Sequence, residues 1–137
     1  MSFFNAPLQV GDTNDRVTAG WVVASQSTVV PGTAATTALF SIPKPYNIIE
    51  IYVDVNTAYT ASTVMDIGIT GTTDKFADAL DVDAVGRVLA SSDASQLVNW
   101  NDATSGGKED IIATLTGAAA GSGRVTIIYT TPSTLQN

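Results

Sequence analysis

Ile48-Ile49-Glu50-Ile51-Tyr52-Val53-Asp54-Val55 is the stretch on which the fold turns. Ile49, Ile51, Val53 and Val55 alternate with Glu50, Tyr52 and Asp54, and a period of two places four aliphatic side chains on one face and the polar set on the other. That pattern is a half-buried β-strand. Toward the C-terminus a loop leads into residues 63–70, where Met65, Ile67 and Ile69 form the inward face and Gly71-Thr72-Thr73-Asp74 ends the run. Toward the N-terminus Pro43-Lys44-Pro45 separates the central strand from residues 35–42. The turn pair Pro31-Gly32 in turn separates those from residues 17–30, which are rich in Val, Thr and Ser around Trp21.

Further along, residues 74–86 lose the period and read as one helical turn or a short irregular segment, with Asp74 as a cap. Extended structure resumes at 86–90, 96–100, 109–116 and 124–131; the last of these sets Val125, Ile127 and Tyr129 opposite Thr126, Ile128 and Thr130. About eight strands at short, regular spacing predict an all-β, antiparallel β-sandwich of jelly-roll type. Ile49, Ile51, Val53, Ile67, Ile69, Leu115, Val125 and Ile127 are the expected core. Residues 1–16 lack any period and end in the turn cluster Gly11-Asp12-Thr13-Asn14-Asp15, so they read as an extended N-terminal arm ahead of a single domain over 17–137. Phe3, Phe4, Pro7 and Leu8 are the arm's candidate docking residues.

Composition agrees with this reading. The chain has 137 residues, 45% of them hydrophobic and only 14% charged, well below the roughly 25% of a typical soluble domain. Glu occurs twice and hydroxyl residues fill the polar role, which suits strands better than helices. The net charge is -7, and the three Lys and three Arg are scattered singly, so no phosphate-neutralising stripe exists and direct nucleic-acid binding is not expected. No apolar run is long enough for a signal peptide or a membrane helix, so neither export by the secretory route nor a membrane partner is expected.

The chemistry available is narrow. With no Cys and no His, there is no disulfide, no thiolate nucleophile, no imidazole base and no zinc site of the usual kind. Asp74, Asp78, Asp81 and Asp83 lie close in sequence, but Leu80 and Val82 interrupt them and no Glu closes a calcium loop; a solvated acidic loop is the plainer reading. Glu50 and Asp54 sit on one face of one strand, where the solvent face explains them better than a glycosidase pair. Trp21, Trp100, Tyr52 and Tyr59 could stack a sugar, although a Trp in a sandwich is more often core. Gly121-Ser122-Gly123 is no nucleophile elbow, and no phosphate loop is present. No cofactor, no metal and no enzymatic activity are expected.

Two segments resemble known proteins. Ile67-Gly68-Ile69-Thr70-Gly71-Thr72-Thr73-Asp74-Lys75-Phe76, followed by Asp81-Val82 and Gly86, is similar to a stretch of small virion proteins of tailed bacteriophages. Ile111-Ile112-Ala113-Thr114-Leu115-Thr116-Gly117 with Gly123-Arg124-Val125-Thr126-Ile127-Ile128-Tyr129 resembles the end of the same proteins. The resemblance is to head-decoration (cement) and related structural proteins. It implies a β-sandwich that assembles as a homotrimer on the major capsid protein or another virion protein, in a virion put together in the host cytoplasm. A tail or fibre component contacting the host, or a carbohydrate-binding module, are the alternative readings.

Overall fold

The alternation around Ile51 becomes β3 (Tyr46–Thr57), an inner strand of one of two antiparallel sheets. The computed structural model describes residues 21–33, 35–90, 101–102, 104, 106–117 and 120–132, with the backbone alone at 101–102. Every element among them is a strand: β1 (Trp21–Pro31), β2 (Thr36–Pro43), β3, β4 (Val64–Ile69), β5 (Thr72–Asp81), β6 (Gly86–Leu89), β7 (Asn101–Asp102), β8 (Lys108–Thr116) and β9 (Ser122–Pro132). The first sheet runs β1-β9-β3-β6, with the two-residue β7 also pairing to the start of β3; the second runs β2-β8-β4-β5.

The pairings nest. β4 pairs with β5, β3 with β6, β2 with β8 and β1 with β9, so the chain behaves as one long hairpin rolled into two facing sheets. This is the jelly roll. Its tip is the turn at Thr70-Gly71 between the paired residues Ile69 and Thr72, where Gly71 sits at φ +91°, a backbone conformation that costs any residue with a Cβ. No helix among the described residues is long and apolar enough to cross a membrane.

The core lies between the two sheets and is filled by the predicted alternation. Ile51, Val53 and Val55 of β3, Val125 and Ile127 of β9, Met65 and Ile67 of β4, and Ile111, Ala113 and Leu115 of β8 are all buried. Burying each of the larger aliphatic side chains contributes about 1.5–3 kcal/mol. Truncating a fully buried one such as Ile127 to Ala would cost roughly 2–5 kcal/mol.

Three expectations are corrected. Ile49 is not core but 39% exposed, because a β-bulge between Ile48 and Glu50 shifts the register against β9. Ile48 and Ile51 therefore both point inward. Glu50 turns its carboxylate back to accept from the Ile51 N–H at 3.0 Å, where the ladder is disturbed. Ile69 is half-buried and packs at the margin of the core. Residues 74–86 hold no helical turn; most belong to β5 and β6. The period is lost there because β5 shifts register twice against β4. One shift puts Ala79 at φ 53°, with its N–H donating to Asp66 Oδ1 at 2.7 Å. The predicted strand over 96–100 and the first residues of 17–30, up to 20, lie outside the described residues.

At one end of the roll three connections meet. Tyr59, in the loop after β3, accepts no solvent: it is 3% exposed, and its N–H donates to the Val82 carbonyl at 3.2 Å. Gly121, between β8 and β9, packs so closely that a Cβ there would lie 2.5 Å from the Tyr59 Cα.

Candidate interaction surface

β1 reads Trp21-Val22-Val23-Ala24-Ser25-Gln26-Ser27-Thr28-Val29-Val30-Pro31. β-branched and hydroxyl residues make it a good strand, and among the described residues it forms one edge of the first sheet, paired with β9 alone. The inward side is tied down by polar contacts. Gln26 donates from Nε2 to the Tyr129 hydroxyl at 2.8 Å, and the Thr28 hydroxyl donates to the Leu39 carbonyl at 2.9 Å. On the outer face Arg124 donates to the Ser27 hydroxyl at 3.1 Å. Four of the large hydrophobic side chains exposed among the described residues belong to this one strand: Trp21, Val22, Val23 and Val29, with Val23 at 68%.

The other edges look different. β5 has two register shifts and carries Asp74, Lys75, Asp78 and Asp81. β2 is broken by a bulge between Ala38 and Phe40. β6 is four residues long and carries Arg87, which grips Asp54 of β3 through Nε at 2.7 Å and Nη2 at 3.0 Å. Bulges, charges and shortness are the devices that keep a sheet edge from pairing with another chain. β1 has eleven residues in unbroken register with β9 and no charged side chain.

The Arg87–Asp54 pair is a structural clasp. The guanidinium lies over the Tyr52 ring at 4.1 Å, and its hydrogen bonds hold the Asp54 carboxyl below the usual carboxylate range while raising the Arg87 value. Beside it runs an open recess of about 420 Å³ lined by Val85, Val88, Leu89 and Arg87 among others. Asp81, at the end of β5, lines the recess as well, so its wall joins one carboxylate and one ion-paired cation to a short apolar run.

The sequence-derived candidates are dispersed. Phe3, Phe4, Pro7, Leu8 and Trp100 lie outside the described residues. Trp21, expected in the core, is instead 55% exposed at the start of the edge strand. Tyr52 carries Arg87 and Tyr59 is buried, so these two form no stacking platform with Trp21. Asp74, Asp78 and Asp81 are exposed along β5, and Asp83 accepts from the Ser62 N–H at 3.0 Å. Among the described residues no three carboxylates gather closely enough to hold a metal ion. Glu50 and Asp54 are each engaged locally, by the Ile51 N–H and by Arg87. The exposed edge was missed by the sequence reading. Its signal is present nonetheless: from Val17 to Pro43 there is no charged residue at all.

The fold has counterparts among solved structures. One is a chain of the acid-stable capsid structure of Helicobacter pylori bacteriophage KHP30, with a TM-score of 0.64 and 16% identity over 85% of this chain and 95% of that one. Another is a chain of the capsid asymmetric unit of cyanophage Pam1, with a TM-score of 0.55 and 14% identity over 91% and 94%. The structural neighbours are phage capsid chains. Each match covers most of both chains, and at such identity the likeness is one of fold. No protein-family model matches the sequence, and no curated protein matches it.

Proposed function

We propose that the chain is a structural protein of a bacteriophage particle, and that within the particle it is a decoration (cement) protein that binds and stabilises the shell of the major capsid protein. The observation that carries this reading is the end-to-end jelly-roll match to chains of two phage capsid structures. The sequence resemblance at residues 67–76, 111–117 and 123–129 supports the same class of particle. A rigid sandwich with few long charged side chains loses little side-chain entropy on docking, which suits a subunit that covers neighbours. The dispersed carboxylates and the engaged Arg87 support a role without turnover.

In this reading residues 1–16 are an arm that precedes the domain, and Phe3, Phe4, Pro7 and Leu8 make the contact with the shell. Two aromatics bury the most apolar surface per residue ordered. Ordering about ten residues costs on the order of 10 kcal/mol of backbone entropy, so main-chain hydrogen bonds to a partner's strand edge contribute as well. Quantitative mass spectrometry of purified particles tests the function: decoration requires copies in proportion to the shell subunits, whereas a copy number near that of tail proteins would move the chain to the tail. Deletion of residues 2–10 is expected to weaken attachment to particles without lowering the melting temperature. Equal attachment by the truncated protein would place docking on the sandwich itself.

A further inference from the structure

We infer that β1 is a self-association strand: two copies pair their β1 strands antiparallel about a two-fold axis through Gln26, joining two first sheets into one continuous sheet. The inference stands apart from the phage reading. It rests first on the contrast among edges. β2, β5 and β6 each carry a bulge, charges or shortness, and β1 carries none of these while exposing Trp21, Val22, Val23 and Val29. Such an edge, left bare, templates pairing with another chain.

The occupant is a second copy because the strand is nearly a palindrome. Val22-Val23-Ala24-Ser25-Gln26-Ser27-Thr28-Val29-Val30 reads almost the same from either end. Centred on Gln26, Val23 faces Val29 of the second copy, Ser25 faces Ser27, Ala24 faces Thr28, Val22 faces Val30, and Trp21 falls opposite Pro31. Like meets like at nearly every position, and these directly opposed pairs are the unit of sheet stabilisation. An antiparallel ladder brings together residues whose N–H and C=O groups point out of the same edge, so the register can slip only by steps that move the axis to Ser25 or Ser27. Either slip sets a valine against a serine or a proline on the exposed face. Closed two-fold pairing of this kind also leaves no new edge for a third copy.

Charge agrees. Each copy carries -7, so two copies repel wherever acidic surface meets acidic surface. Between Arg16 and Lys44 the chain has no charged side chain, and β1 lies wholly within that interval. The β1 edge is where two copies approach without opposing like charges.

Sedimentation equilibrium of the full chain tests this, with a mass of twice 14.2 kDa expected. Val23→Lys and Val29→Glu, both at exposed positions, are each expected to raise the dissociation constant about tenfold or more, because the two-fold axis doubles every mismatched pair. Mixing the two variants sets Lys against Glu at one end and Val against Val at the other, and should restore the dimer. Ser25→Lys is the second disrupting variant should either of the first two lose its β-sheet circular dichroism. Four results would overturn the inference: a mass of 14.2 kDa at every concentration; a dimer or trimer that folded Val23→Lys and Ser25→Lys leave intact; variants that weaken the dimer but fail to rescue each other; or a monomer that becomes dimeric only after removal of residues 2–16, which would make the chain's own first residues the occupant of this edge.

Discussion

The Tyr59 hydroxyl donates to the Val30 carbonyl oxygen across 2.6 Å, and both residues are buried. This bond ties the loop after β3 to the end of β1, where the edge strand turns toward the second sheet. Replacing Tyr59 by Phe removes the donor and leaves a buried carbonyl with one partner fewer. The expected loss is about 1–3 kcal/mol of unfolding free energy, read as a lower urea midpoint at unchanged slope.

The same burial pushes the Tyr59 phenol up from 10.0 to about 12, against a smaller opposing effect of a Gly123 backbone hydrogen bond. A phenol whose folded value is raised is held protonated by the fold. Its stabilisation is complete below the unfolded value and is lost as pH rises from about 10 to about 12. Unfolding free energy should therefore fall across that window in the wild type and fall less steeply in Tyr59→Phe. Absorbance titration should show a tyrosine with a midpoint of about 12 that the variant lacks.

Gly121 closes the same corner. It sits at φ +109°, and a Cβ would fall 2.5 Å from the Tyr59 Cα and 2.9 Å from the Ala58 carbonyl oxygen. Backbone cannot step aside as a flexible side chain does. Gly121→Ala is expected to cost on the order of 3 kcal/mol, combining left-handed strain with overpacking. Gly71→Ala, at φ +91° with open space around the site, should cost only the strain, roughly 1–2 kcal/mol. Thermal melts of the two variants separate the effects, and equal losses would show that the close approach contributes nothing.

The fold was legible wherever a strand keeps its own period of two, even where the partner strand carries the extra residues, as β5 does against β4. Ile51, Val53, Met65, Ile67, Leu115, Val125 and Ile127 alternate strictly and are buried as expected. Ile49 was misassigned because a bulge at Ile48–Glu50 reverses the face without leaving a mark in an apolar pair. β5 was missed for a related reason. Its two register shifts scatter Phe76, Ala77 and Leu80 off any single period, so a strand looks like an irregular segment. The surface was harder to read still. Exposure of Trp21 depends on β1 being an edge strand, and strand order is a property of the pairing of distant segments, which no local window contains.

Thr63 is fully buried, and its hydroxyl has no hydrogen-bond partner among the described residues. Its backbone is well used: the N–H donates to the Thr60 carbonyl and the carbonyl accepts from Val82. Valine keeps the β-branched shape and discards the orphaned hydroxyl. Thr63→Val should therefore raise stability by about 1 kcal/mol, seen as a higher melting temperature. A lower melting temperature would mean that the hydroxyl is bonded in solution.

A last relationship links the acidic segment to the fold's pH response. Ser62 sits in the left-handed region at φ 67°, and its N–H donates to Asp83 Oδ2 at 3.0 Å. Asp83 in turn donates its own N–H to Asp81 Oδ1 at 3.2 Å, with Val82 buried between the two carboxylates. The Ser62 N–H, followed by the side-chain contact with Asp81, holds the Asp83 carboxyl below its ordinary 3.8. A carboxyl whose folded value is depressed stabilises the fold above the unfolded value and loses that contribution as pH falls through 3.8 toward the lower folded value. Asp83→Asn keeps an acceptor for Ser62 but removes the charge. At neutral pH the variant should melt below the wild type, and the gap should close as the wild type is acidified past this range. A gap that stays constant down to about pH 2, below the ordinary range of carboxylates, would show that the turn at Ser62 is held by shape and hydrogen bonding alone, with no share for the ionised carboxylate.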